Sequence, residues 1–340
     1  MDNYNKSIFH ISKPGRRAYL LPQKNISDEY ISNIIPPELL SDQELDLPEV
    51  SELDVIRHFT NLFHKDDKVE EDYEIELHSI KNNPKINEDL EAMKEFSMVH
   101  PYQSIETVQG SLEVIYKLDE ILSRALSMDR VCLQGMTGVH GELISFMLMR
   151  AYYNSIKEFK RTKIIVSHVD YKNSKSILCL AGYEVVKVQL DEEGSICIDS
   201  LKELLDDKIA AIMLTNSIAL DLKKAKEIEE LVHNIGGLIL YNGWNINSID
   251  EIMDFSYGHI DMIHFDLNRA FGNYYDSGCG AIGVKEHLVK FLPIPIVHKA
   301  NDKYILDYDR PESIGKIKGF YGNYRMILRA YTHMLARGMK

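Results

Sequence analysis

Cysteine is scarce. The 340-residue chain has four, Cys132, Cys179, Cys197 and Cys279, widely separated and with no CxxC pair. Neither a zinc ligand set nor a disulfide framework is signalled, and reduced, buried thiols are the simpler reading. Positive charge is also short, since 39 Lys and Arg face 52 Asp and Glu for a formal net charge of −13. Nucleic acids and anionic membranes need a basic footprint, so a general role on either is excluded. Long apolar runs are missing. The longest, such as IAAIMLT and GGLILY, fall far below the roughly 18 residues of a membrane span. The N-terminal MDNYNKSIFH has no basic-then-apolar leader pattern. A cytoplasmic protein is expected. No internal repeat or low-complexity block is visible.

What is present suffices for a folded core. The chain is 45% hydrophobic, and a prior of about 100–200 residues per domain allows two or three units. Residues 1–50 carry Pro, Ser and isolated charges (KPGRRAYLLP, IIPPELL, LDLPEV) and read as an extended arm laid over a larger body. From Ser51, the apolar residues Leu53, Ile56, Phe59, Leu62 and Phe63 share one helical face, and Ser51 with Asp54 resembles a capping box. A charged loop follows, ending in the turn signal Asn82-Asn83-Pro84.

After Val108 helical and strand patterns alternate. Helices are expected at SLEVIYKLDEILSRAL, HGELISFMLMRAYYNSI, KSILCLAG, IDSLKELLDD and DLKKAKEIEELVHNI. Strands are expected at VCLQG, KIIVS, EVVKVQL, IAAIMLT, GGLILY and DMIHFDL. Such alternation predicts an α/β fold, a mostly parallel sheet with helices on both faces. The expected organisation is an arm with helices over 1–100, the α/β domain over 101–295, and the start of a further domain over 296–340. That last segment is turn-rich and ends in the apolar helix YRMILRAYTHML.

In doubly wound sheets ligands bind beyond the carboxyl ends of the strands, so the segments after strands hold the candidates. The Gly-rich turn from Gln134 to Glu142, which includes Thr137, Gly138 and His140, opens a helix whose free amides suit a phosphate. A tight structural turn reads equally well, and a lone histidine such as His140 is commonly just packed or hydrogen-bonded. After GGLIL comes Tyr241-Asn242-Gly243-Trp244-Asn245, with neutral amides where an acid often faces a cofactor. Arg269, in Asp266-Leu267-Asn268-Arg269-Ala270-Phe271, fits either an anion site or a structural salt bridge.

The segments SKPGRRAY, LPEVSELDVIRHFT, NPKINED, HPYQSIETVQG, HGELISFMLMRAY, GVKEHLVKFLP and YDRPESIGKIKGFYGN resemble glycine dehydrogenase (decarboxylating), the P-protein of the glycine cleavage system, in its subunit 2 form. The resemblance runs from Ile8 to the final helix. It implies an aspartate-aminotransferase-like fold and, for the family, pyridoxal-phosphate-dependent decarboxylation of glycine with aminomethyl transfer to the lipoyl H-protein. It also implies a subunit 1-like chain as partner and the H-protein as a possible second one.

Residue by residue the resemblance departs from that chemistry. The family's cofactor lysine, in a motif like L-N-L-H-K-T-F, falls at Arg269. A guanidinium stays protonated, with a pKa above about 12, and cannot form a Schiff base. No lysine lies between Lys226 and Lys285, so a slipped alignment does not restore one. The aspartate that keeps the pyridine nitrogen protonated falls at Asn242, which lacks the negative charge. The histidine over the ring falls at Tyr171, which can still stack. The substrate loop becomes the stretch from Glu76 to Pro84, with His78, Ser79 and Lys81, and loses its small residues. The loop T-N-P-N-T-L-G becomes Thr215 to Asp221, with Asn216 retained and an apolar lining. Family members continue beyond the helix at which this chain ends. The expectation is a non-catalytic subunit with no covalent cofactor. The alternatives are an enzyme of altered activity that binds a phosphorylated ligand noncovalently, through the Gly-rich turn, Tyr171 and Lys81 or His78, or a decaying gene copy.

Overall fold

A computed structural model describes residues 9, 12, 49, 50, 58, 85–167, 170–215, 218, 222–243, 260–271 and 278–336. The chain divides into two units, Met1–Leu77 and His78–Lys340. In the first, the Ser12 hydroxyl accepts the Glu49 N–H at 2.7 Å. The helix expected from Ser51 and the loop down to Pro84 lie outside the described residues apart from His58, which is helical.

The second unit holds a seven-stranded sheet. Its strands are β1 (Arg130–Cys132), β2 (Lys163–Ser167), β3 (Glu184–Val188), β4 (Ile209–Thr215), β5 (Leu238–Gly243), β6 (Met262–Asp266) and β7 (Gly280–Val284). They lie in the order β1-β7-β6-β5-β4-β2-β3. The pairs from β3 through β6 are parallel, and β7 runs antiparallel to both β6 and β1. A second sheet pairs β8 (Ile296–Ala300) with β9 (Lys303–Asp307), antiparallel.

Among the described residues of this unit there are ten α-helices: α1 (Lys85–Ala92), α2 (Lys94–Ser97), α3 (Gln109–Ala125), α4 (Gly138–Ser155), α5 (Tyr171–Leu180), α6 (Ile198–Leu204), α7 (Leu222–Asn234), α8 (Leu267–Ala270), α9 (Glu286–Val289) and α10 (Tyr324–Ala336). Their sequence logic is local. In α3 the buried Leu112, Ile115, Leu118, Ile121 and Leu122 recur every three or four residues and form one face. Helix α5 stops where Gly182 adopts φ +80°; its N–H donates to the Cys179 carbonyl and that of Tyr183 to the Leu178 carbonyl, a left-handed stop that glycine makes without steric cost.

The strands alternate between two cores. Ile165, Ile212, Ile239, Tyr241, Ile263 and Phe265 pack with α3, α6, α7 and α10, while Ile164, Val166, Ala211, Leu240 and Met262 pack with α4, α5 and α9. That alternation is the period-2 side-chain geometry of a strand covered on both faces. The predicted α/β architecture is therefore present, with corrections. VCLQG supplies only a three-residue edge strand, since Leu133 to Gly135 leave the ladder for the turn into α4. Strand GAIGV and the β8–β9 hairpin carry no clean sequence signal because their polar and small residues blur the alternation. Among the described residues no helix is long and apolar enough to cross a membrane.

Candidate functional site

The carboxyl ends of β2, β4, β5 and β6 and the start of α4 form one edge of the sheet. The strand order reverses between β2 and β4, the switch point at which such sheets open a crevice. There Asp170, buried, accepts hydrogen bonds from the Ser167 hydroxyl at 2.6 Å and the Thr215 hydroxyl at 2.8 Å. One carboxylate thus ties the ends of two neighbouring strands. Tyr171 begins α5 immediately beyond it. His78, Ser79, Lys81 and Asn216 lie outside the described residues, as does the side chain of Tyr171.

The Gly-rich turn is built by close backbone approach. A Cβ on Gly135 would sit 2.3 Å from the Gly280 carbonyl oxygen at the start of β7, so only a glycine lets the turn pass. Thr137 then caps α4, its hydroxyl accepting the His140 N–H at 3.1 Å. His140 Nδ1 accepts the Met136 N–H at 3.3 Å. Burial and the charge of Lys318 both push the His140 pKa down, so the neutral ring serves as an acceptor. Gly138 donates its N–H to Asp266 Oδ2 at 3.2 Å.

Asn242 is the penultimate residue of β5, buried beside His264 of β6. Its amide donates to Glu142 Oε1 of α4 at 3.1 Å, and its Oδ1 lies 2.9 Å from His264 Nδ1. Burial drives the His264 pKa down to about 4, against a smaller opposing effect of the Gly138 backbone. The ring is therefore neutral at pH 7, with its proton on Nδ1 toward the asparagine oxygen. Glu142, Asn242 and His264 form a polar chain beneath the turn, and a Cβ on Gly141 would meet the His264 ring at 2.7 Å.

Arg269 lies in the single turn α8 directly after β6. Asp266 caps that turn, its Oδ1 accepting the N–H groups of Asn268 at 2.9 Å and Cys279 at 3.2 Å. The fold thus gathers Thr137, Gly138, His140, Asn242 and Arg269 at one edge, although Asn242 lies within β5 and not after it. Asp266, Glu142 and His264 act there too, though nothing in their spacing distinguishes them. Nothing in the sequence singles out Lys318. It comes from the tail, 182 residues from Met136, whose Sδ its ammonium meets; the ammonium also lies 4.4 Å from the Phe320 ring centre. Burial lowers its pKa below the ordinary lysine value. Among the described residues no group of His, Cys, Asp and Glu is arranged to hold a metal ion.

Comparison with solved structures gives the fold. The chain superposes on a glycine decarboxylase (P-protein) of the glycine cleavage system, in inhibitor-bound form, with a TM-score of 0.58 at 16% identity, over 91% of this chain and 72% of that one. It superposes on a sphingosine-1-phosphate lyase from Burkholderia pseudomallei with a TM-score of 0.55 at 8% identity, over 88% and 70%. The mixed, mostly parallel sheet flanked by helices is the pyridoxal-phosphate fold type I. No family model matches the sequence. Among curated proteins, the probable glycine dehydrogenase (decarboxylating) subunit 2 of Alkaliphilus oremlandii is 44% identical over 342 residues, covering 99% of this chain and 70% of the relative. Its counterpart in Caldanaerobacter subterraneus is 40% identical over 344 residues, covering 99% and 71%. With that identity across nearly its whole length, and with the fold to match, this chain belongs to the glycine dehydrogenase (decarboxylating) subunit 2 family, whose cofactor is pyridoxal phosphate.

Proposed function

We propose that this chain is a non-catalytic subunit 2 of a P-protein-type assembly, whose role is to pair with a subunit 1-like chain. The observation that carries the reading is the residue after β6. By the resemblance the family lysine falls at Arg269, on α8, and the sequence has no lysine between Lys226 and Lys285. A guanidinium supplies no neutral amine for a Schiff base.

Two further features support it. The amide at the position of the pyridine-nitrogen acid, Asn242, is engaged by Glu142 and His264. It therefore offers neither a negative charge nor an unengaged side chain. The amide of Gly138, in the turn that would hold a phosphate, is bonded to Asp266. Pyridoxal phosphate therefore does not fit these residues. The scaffold, by contrast, keeps the family pattern in its helices and tail. Docking of a lipoyl H-protein belongs to the same reading, as does a cytoplasmic location.

One observation favours the other reading, an enzyme of altered activity. Lys318 brings an amine of lowered pKa to the turn, and a desolvated lysine is the kind that attacks carbonyls. A single experiment separates the two. Purified protein is mixed with pyridoxal phosphate, its visible spectrum is recorded, and borohydride reduction with peptide mass mapping locates any adduct. No specific adduct is expected. A stoichiometric adduct on Lys318 or Lys81 overturns the non-catalytic reading. The partner is tested by co-expression with a subunit 1-type chain; failure to co-purify counts against pairing.

A further inference from the structure

Four amide donors in the turn have internal acceptors. Met136 donates to His140 Nδ1, Gly138 to Asp266 Oδ2, His140 to Thr137 Oγ1 and Gly141 to the Thr137 carbonyl. The second of these differs in kind, because the acceptor is a carboxylate brought in from β6. It is lodged tightly. A Cβ on Gly138 would stand 3.3 Å from Asp266 Oδ2, and one on Gly278 2.5 Å from the same atom. A negative charge therefore sits at the N-terminus of the 18-residue helix α4, where the exposed N–H groups and the helix dipole favour an anion most.

We propose that Asp266 is a built-in counter-anion that determines which ligands this crevice accepts: it occupies the phosphate position at the start of α4 and excludes phosphate monoesters. A phosphate entering there meets a like charge and must also displace a hydrogen bond that the fold already makes. The two oxygens of the carboxylate divide the work. Oδ1 holds the Asn268 and Cys279 amides and so shapes α8 and the entry to β7, whereas Oδ2 serves Gly138 alone among these donors. Asp266→Asn can keep the first function through its carbonyl oxygen. It removes the charge and replaces the acceptor facing Gly138 with an NH2 group. The inference concerns the same crevice as the proposed function but does not depend on the missing amine.

The test uses the full chain labelled with 15N-glycine, with Gly138 assigned through loss of its signal in Gly138→Ala. In the wild-type protein, titration with inorganic phosphate is expected to leave the Gly138 amide signal in place, and calorimetry with phosphate or pyridoxal phosphate to give no saturable heat. In D266N both ligands are expected to bind at least about tenfold more tightly, with a saturable shift of Gly138. A saturable Gly138 shift in the wild-type protein overturns the proposal, and so does a D266N protein of wild-type Tm that binds no better. If D266N does not fold, the wild-type titration still decides. Phosphate binding without a borohydride-trapped adduct would sink this inference alone, leaving the non-catalytic reading intact; a specific adduct without phosphate at Gly138 would do the reverse.

Discussion

Single side chains at the sheet edge separate two losses that a comparison of motifs would merge. In the proposed reading Arg269 stands where the family has its amine, and Asp266, bonded to the Gly138 amide, closes the anion position. Restoring the first alone should not restore cofactor binding. Arg269→Lys is expected to give no borohydride-trapped pyridoxal phosphate adduct, whereas Arg269→Lys combined with Asp266→Asn is expected to give one at position 269, read by peptide mapping. Away from the crevice, at the start of β6, Asp261 accepts the Ile239 N–H at 2.7 Å and meets His233 Nε2 at 2.8 Å and His287 Nε2 at 3.6 Å. The Asp261 hydrogen bond is the main cause raising the His233 pKa, with Glu229 adding to it. The folded pKa thus lies above the unfolded value of about 6.5. The stabilisation is complete below that unfolded value and is lost as pH rises through the folded one. His233→Gln should therefore cost stability at pH 6, with the deficit shrinking toward pH 9, as urea unfolding at each pH would report.

Helices hold the two faces of the sheet by different means. Leu148 on α4 is fully buried in the apolar core shared with β2, β4 and β5. Leu148→Ala is expected to cost about 2–5 kcal/mol, because the site loses transfer energy and retains a cavity. Helix α10 is joined to α1 by charge. Glu91, nearly buried, pairs with the nearly buried Arg329 and with the more exposed Arg325 at 2.7 Å. Removing one partner strands a charge in a low-dielectric setting, so Arg329→Met is expected to cost about 3–5 kcal/mol in denaturant unfolding. Arg325→Met should cost far less, since its side chain is 57% exposed and solvent screens it. The sequence supports the amphipathic face of α10 but not this pairing, because the partners stand more than 200 residues apart.

Over the whole molecule, two buried cores lie on either side of one sheet. Thermal unfolding is expected to be cooperative; a broad, non-cooperative transition would favour the decaying gene copy. If the scaffold serves pairing and the crevice does not, D266N and R269K should co-purify with a subunit 1-type chain as well as the wild type does. The succession of helices and strands was legible because apolar period and chain order are local properties, and the resemblance to the family was legible because its motifs are contiguous. The absence of any lysine between Lys226 and Lys285 could also be read directly, since a residue's chemistry needs no neighbours. Strand order, the antiparallel insertion of β7 between β1 and β6, and the hairpin β8–β9 depended on pairings between distant segments. So did the state of the crevice. The sequence shows an aspartate two residues after His264 and a glycine-rich turn more than 120 residues earlier; only the fold decides that the carboxylate rests on the Gly138 amide, because hydrogen bonding is set by distance in space and not along the chain.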